Sequence, residues 1–489
     1  MSKRALLIVI TAFLLSVAVR WPQLNRPLSA HHEFCTAFTL IALTNWYEDG
    51  FFTHHGVPSG GFVREGAVLM PPERSTQNER AISLYYFSHP PLAYDLPYLV
   101  FSAFGVAPNV IGLQAFNLLF HLITTIALFF AVRQVSGTGS NTTAPLFAAL
   151  LYLFMPAPLW FHGNVYMSDM FVQNFWVLHV VVSMRLFRVK GAFPRRLLAL
   201  FGATLFLTVY TSWLGVFAAI TSIMLAWWQW RKDRASKWVG VVLVSICAVA
   251  LALGLTAWRY LQVIDAQALL AHFADRFAVR GTFALPDGPW PLLRELIINY
   301  RMGFLPVIVL LVILIFVRYR GRAALLKDAP GLPLFIALTG LPVLFDHAFL
   351  LQYAEHDFAA LKAGLFLCGI AGVGLASLPN RWGTGALVAT CTAGVLYFYR
   401  INPLPGTDDG RYRQEMELGR AIAKEARPDE AVFAIGLSTE PQVGWYAHRN
   451  VLGVTSKEQA QEFLRDHGLA RGVVFRMIGD TRSVERIVP

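Results

Sequence analysis

The sequence predicts an α-helical polytopic membrane protein: about eleven transmembrane helices, a cytoplasmic N-terminus, and a small C-terminal α/β domain on the outer face. Three observations carry this reading. Of 489 residues, 56% are hydrophobic and only 15% charged, which is too apolar for a water-soluble globule. Apolar runs of about 16 to 24 residues, the length that crosses a hydrocarbon core, recur along the chain. Basic residues gather in short clusters between those runs, as they do in cytoplasmic loops.

Lys3 and Arg4 precede the first apolar run, Leu6 to Val19. No small-residue cleavage pattern follows, so the run is expected to stay as the first helix and to leave the membrane near Arg20. Further spans are expected at 110–132, 144–161, 169–187, 197–211, 214–230, 238–257, 303–317, 331–345, 359–377 and 384–400. This register places the clusters at 185–196, 230–237 and 318–328 together on the cytoplasmic side. The outer face then holds loop 21–109, a short turn at 161–169, loop 258–302 and the connection 346–358. These four segments should converge on one cavity. Within them, Glu33 to Trp46, residues 90–105 and the run IDAQALLAHFADRFAVRG read as amphipathic helices on the membrane surface.

The composition also excludes function classes. A net charge of +11 suits nucleic acid, but its confinement to short inter-span clusters is explained by topology, and no nucleic-acid partner is expected. Cys35, Cys247, Cys368 and Cys391 have no metal-binding spacing and form no disulfide framework. The 37 Phe and 13 Trp residues suit lipid-facing surfaces and interfacial belts, so membrane lipids are the expected surroundings. A cytoplasmic N-terminus and unpaired cysteines suit a multi-pass protein of a bacterial inner (plasma) membrane.

Two domains follow: a multi-span catalytic domain over 1–401 and a soluble α/β domain over 402–489. In the latter, AVFAIGL, NVLGV and RGVVFRMI alternate with helical stretches. It has no Gly-rich phosphate loop and no metal spacing, and reads as a scaffold packed on the outer face.

Ionisable residues at the membrane boundary are the candidates for chemistry. Glu33, flanked by His31 and His32, is either a general base made stronger by apolar surroundings or a solvated helix-capping residue. His31 and His32 suit a phosphate or a divalent ion, but adjacent helical residues face different ways and the HHE spacing is not a metal motif. Asp169, after Ser168, is either an N-cap or a site carboxylate. A third cluster holds Asp346, His347, Tyr353, Glu355, His356 and Asp357. Arg276, Arg280, Arg294 and Arg301 can each hold a phosphate or touch lipid headgroups.

Taken together, HHEFCTAFTL in the first loop, SHPPLAY (88–94), SDM (168–170) and EHDF (355–358) resemble the motif order of the GT-C glycosyltransferases. The resemblance is to the protein O-mannosyltransferase and lipid A aminoarabinose transferase superfamily, and it covers roughly residues 1–400. Two departures stand out: the family's acidic pair is reduced to Glu33 preceded by histidines, and His89 stands where the family often has Lys before Pro-Pro.

The resemblance implies inverting transfer of a sugar from a polyprenyl-phosphate donor to a lipid, glycan or protein acceptor on the periplasmic or outer face. It gives Glu33 and Asp169 the catalytic roles, with Glu33 as base. His31, His32, His89, Arg276, Arg280, Tyr353 and His356 are the substrate-binding set. No cofactor is required, no metal ligand is assigned, and a divalent cation can be accommodated. Two other readings remain open: a transporter or flippase of a lipid-linked or polar substrate, and a non-catalytic polysaccharide-assembly partner. Against transport, the chain has no internal repeat and its ionisable residues cluster on one side of the membrane.

Overall fold

The computed structural model describes all residues except 25, 30, 71–74, 136–141, 283–287, 319–328, 405–412 and 479–480. The basic cluster at 318–328 therefore lies almost wholly outside the described residues. Helices dominate, and the reason is the long apolar runs: in lipid a backbone must satisfy its own hydrogen bonds.

Among the described residues, six helical segments are long and apolar enough to cross a membrane. They are Lys3–Leu24, Val110–Arg133, Lys237–Tyr260, Trp290–Val317, Leu332–Phe349 and Asp357–Ala376. A seventh forms if Thr143–Phe154 and Pro156–Asn164 count as one span bent by 61°. The remaining expected positions hold helices Ser168–Leu186, Arg195–Val209, Leu214–Asp233 and Asn380–Ile401, which are shorter or more polar. Long apolar helices of this kind mark an integral membrane protein.

Three local expectations are corrected. The run 144–161 is not one straight helix, because Pro156 has no N–H to donate back into the first half and starts a new helix at its own N-terminus. Every residue of that second half, Pro156–Asn164, is buried, so it turns into the protein. The helix expected from 303 begins at Trp290, which shortens the loop before it and places Arg294 and Arg301 on the helix. Helix Phe34–Asp49 does not lie on a membrane surface, since eleven of its sixteen residues are buried. It packs against helix Leu92–Ala103 and against helix Pro441–Ala447 near the C-terminus.

The first loop is fastened from both sides. Arg259, on Lys237–Tyr260, donates to both oxygens of Asp95 at 2.7 and 2.9 Å and to Tyr210 Oη at 2.8 Å. From the C-terminal side, Arg449 Nε donates to Glu65 at 2.9 Å. Asn450 exchanges two 2.8 Å bonds with the backbone of Phe62, and the Leu28 N–H donates to Tyr446 Oη at 2.8 Å.

The C-terminal sheet has four strands, β1 (Ala431–Ile435), β2 (Leu452–Val454), β3 (Gly472–Ile478) and β4 (Thr481–Ile487), in the order β2-β1-β3-β4. β1 runs parallel to β2 and β3, while β4 closes a hairpin antiparallel to β3. The sequence reading did not include β4: Ser483 and Glu485 are half-exposed and Arg482 and Arg486 exposed, a polar pattern that suits an edge strand.

Candidate active site

A cavity of 480 Å³ opens where the four expected loop segments meet. Its walls are mostly aromatic and aliphatic: Phe34 and Phe38 from Phe34–Asp49, Met167 before Ser168–Leu186, and Phe217 from Leu214–Asp233. Size and apolarity fit a small-molecule or lipid-headgroup site. Helix Ala266–Arg280, N-capped by Asp265 through a 2.8 Å bond from the Ala268 N–H, supplies the cations. Phe273, Arg276, Phe277 and Arg280 recur at helical spacing on one face, and all four line the cavity.

His89, Tyr353 and His356 line the same cavity. His89 Nε2 meets Tyr353 Oη at 3.1 Å, and its carbonyl accepts from Tyr260 Oη. Burial, seconded by the Lys362 and Arg280 charges, pushes the His89 imidazole below its ordinary pKa against the pull of Asp169 and Asp346. The His356 imidazole is pushed down to about 4 by burial and by Arg280 and His32. Both rings are therefore neutral near pH 7. The Tyr353 ring lies between two cations, with Arg280 Cζ at 5.3 Å and Lys362 Nζ at 5.4 Å from its centroid.

Behind these residues sits a buried charge cluster. Lys362 Nζ donates to Asp346 Oδ2 and Oδ1 at 2.8 and 3.0 Å and lies 3.3 Å from Asp169 Oδ1. The three side chains are between 1% and 3% exposed. Two carboxylates on one ammonium leave an excess negative charge in a place that penalises it. The shorter, two-pronged contact is with Asp346, and Asp169 makes the longer one. Asp169 Oδ2 is buried with no hydrogen-bond partner among the described residues, and so are Ser168 Oγ and His89 Nδ1. His89 lines the cavity and Ser168 and Asp169 follow its wall residue Met167 in the chain; orphaned polar atoms beside a cavity mark a place for a polar partner. Neither Ser168 nor Asp169 caps its helix; the N-cap position is Met167, with no side-chain cap bond.

Glu33 is elsewhere. Its Oε1 accepts from Arg26 Nη2 at 2.9 Å and Asn164 Nδ2 at 3.0 Å, and its Oε2 from Arg26 Nη1 at 2.9 Å and the Ser29 N–H at 2.8 Å. Four donors fill the acceptor sites of a carboxylate, the side chain is 1% exposed, and it does not line the cavity. These contacts anchor the turn after the first helix. Glu33 is not a solvated cap, for it makes no cap bond. His31 and His32 are likewise absent from the cavity lining; their rings turn to Asp357. Of nine expected site residues, the structure thus gathers His89, Arg276, Arg280, Tyr353 and His356 on the cavity. It sets Asp169 immediately behind and the other three apart.

Lys362 was missed. Its signal is a single charge in the otherwise apolar run Phe358 to Leu378, and a lone intramembrane cation predicts a buried acidic partner. Arg26 was missed for lack of any pattern linking it to Glu33.

No protein-family model matches the sequence, and no curated protein sequence matches it. Solved structures do match. One is ArnT from Cupriavidus metallidurans bound to undecaprenyl phosphate, 12% identical with a TM-score of 0.63, covering 96% of this chain and 92% of that one. Another is the archaeal oligosaccharyltransferase AglB from Archaeoglobus fulgidus with an inhibitory peptide and a dolichol-phosphate, 12% identical with a TM-score of 0.59, covering 97% and 69%. The Archaeoglobus fulgidus oligosaccharyltransferase in complex with Zn and sulfate also matches, 12% identical with a TM-score of 0.53, covering 96% and 68%. The chain is an integral membrane protein that shares the fold of these solved structures.

Proposed function

We propose that the chain transfers a sugar from a polyprenyl-phosphate donor to an acceptor hydroxyl at the outer face of a membrane, with inversion. The carrying observation is one apolar cavity with two arginines on its wall and, behind it, a buried carboxylate oxygen that has no hydrogen-bond partner among the described residues. An isoprenoid chain suits the Phe-rich wall, and its phosphate suits Arg276, Arg280 and an N–H of neutral His89. The phosphate departs with the electron pair of the anomeric C–O bond. It is a stable leaving group, so cationic donors serve it better than a general acid.

The acceptor oxygen attacks from the opposite side and loses its proton to Asp169, whose charge acts on His89, Tyr353 and His356 at the cavity wall. Lys362 and Asp346 hold Asp169 in place. The neighbours' lipid-phosphate ligands, undecaprenyl phosphate on ArnT and dolichol-phosphate on AglB, agree with this donor class.

The test is binding and turnover of a radiolabelled polyprenyl-phosphate sugar by the purified chain. Arg276→Gln and Arg280→Gln should each weaken donor binding by roughly 10- to 100-fold, the worth of one charge-assisted phosphate contact. Wild-type protein that binds no polyprenyl phosphate contradicts the proposal. Export of an intact lipid-linked substrate without sugar transfer would favour the transporter reading.

A further inference from the structure

Outside the transfer cavity, His31 and His32 do something that regular secondary structure forbids. Consecutive residues of a helix or strand send their side chains apart. Here both residues take left-handed backbone, φ 36° and 64°, just before helix Phe34–Asp49. Residues with a Cβ adopt that region only where the surroundings impose it. The result is that both rings present Nε2 to the carboxylate of Asp357, His31 against Oδ2 and His32 at 2.9 Å from Oδ1. One ligand atom from each of the three residues lies within 4.8 Å of the others.

The outer contacts of the cluster fix which ring nitrogen points inward. Asn402 Nδ2 donates to the Phe398 carbonyl at 3.3 Å, which leaves Oδ1 facing His31 Nδ1 at 3.2 Å. A carboxamide oxygen only accepts, so His31 Nδ1 carries a hydrogen and Nε2 is the ring nitrogen that faces the carboxylate. Close as it is to His32, Asp357 Oδ1 has no hydrogen bond among the described residues. Side-chain exposures of 26%, 19% and 11% leave the group reachable from solvent.

We propose that His31, His32 and Asp357 bind a zinc ion through two imidazole nitrogens and one carboxylate oxygen, clamping the first loop to the turn after Leu332–Phe349. Two imidazoles and a carboxylate are a donor set zinc favours, with a fourth tetrahedral position left for water. Asn402 orients the His31 ring, as the outer partners of metal-bound histidines do. The ring of His32 packs on those of His356 and Phe358 at 5.4 and 5.2 Å, and both line the transfer cavity. The clamp therefore holds the shape of that wall, and its existence does not depend on which reaction the cavity performs.

The experiment titrates full-length protein, purified in detergent and stripped with a chelator, with Zn²⁺ alone and with Co²⁺ as a spectroscopic probe. The wild type should take up a single zinc per chain, show the visible bands of a four-coordinate Co²⁺ site, and melt at a higher temperature with zinc than without. His31→Gln and Asp357→Asn should each weaken zinc binding by roughly 100-fold or more, and Asn402→Ala by roughly 10- to 100-fold. His356→Gln, which touches the cluster without ligating, should bind zinc like the wild type. If Asp357→Asn does not fold, His31→Gln decides, because its side chain is partly exposed. Wild-type protein without stoichiometric zinc, or undiminished affinity in a folded His31→Gln variant, overturns the proposal.

Discussion

Replacing Lys362 with Met removes a cation that holds two buried carboxylates. Its ammonium lies 2.8 and 3.0 Å from the oxygens of Asp346 and 3.3 Å from Asp169. At the effective dielectric of a protein site, two unit charges about 4 Å apart interact by about 4 kcal/mol, and the dehydration of the ammonium offsets part of that. Breaking a buried pair by deleting one partner costs about 3 to 5 kcal/mol, and Lys362→Met belongs at the upper end because two anions lose their partner. The assay is thermal or denaturant unfolding in detergent, with inactivation half-life at fixed temperature where unfolding is irreversible.

A double-mutant cycle gives the sharper reading. Asp346→Asn destabilises the wild type by about 1 to 3 kcal/mol, yet the same change should stabilise Lys362→Met by removing one of its two uncompensated charges. A Lys362→Met variant within about 0.5 kcal/mol of wild type, or an Asp346→Asn effect of the same sign in both backgrounds, refutes this account of the cluster.

Glu33→Gln should cost about 3 kcal/mol, because it leaves Arg26, itself 4% exposed, without its carboxylate; turnover per folded molecule should be retained, measured after normalising for donor-binding sites. Turnover should also hold down to about pH 7, since burial depresses the His89 pKa below its ordinary value and keeps the ring neutral there. A titration midpoint of 6.5 in the pH–rate profile that disappears in His89→Gln contradicts this. The same shift sets a sign for stability: the unfolded chain binds the His89 proton first, so its contribution is full above about pH 6.5 and falls away as the pH drops towards the folded value.

Much of the site was legible because a membrane restricts where ionisable groups can sit. His89, Arg276, Arg280, Tyr353 and His356 stood out as polar residues between apolar runs, and topology placed them on one face, where the structure gathers them. The roles of Glu33 and Asp169 were less legible. Glu33 carries the strongest local pattern in the chain, but its chemistry is decided by Arg26 seven residues earlier and by Asn164 beyond the Pro156 break. No periodicity encodes either contact. For Asp169 the sequence left cap and site carboxylate equally open, and its contact with Lys362 joins two helices nearly two hundred residues apart. The break at Pro156 is signalled by Pro156 and Pro158, whereas the continuous hydropathy of 144–161 points to one span. Likewise the pairing of His31 with His32 was masked by treating HHE as helical, when the backbone there is left-handed.

The central claim is that Asp169, not Glu33, takes the acceptor's proton. Its most direct test is turnover of a labelled polyprenyl-phosphate sugar by Asp169→Asn and Glu33→Gln, each compared with wild type at equal donor occupancy. The account predicts that Asp169→Asn binds donor but loses about 10²- to 10⁴-fold in turnover, the usual worth of a general base, while folded Glu33→Gln turns over within a few-fold of wild type. Undiminished turnover in Asp169→Asn, with loss in a correctly folded Glu33→Gln, would contradict it.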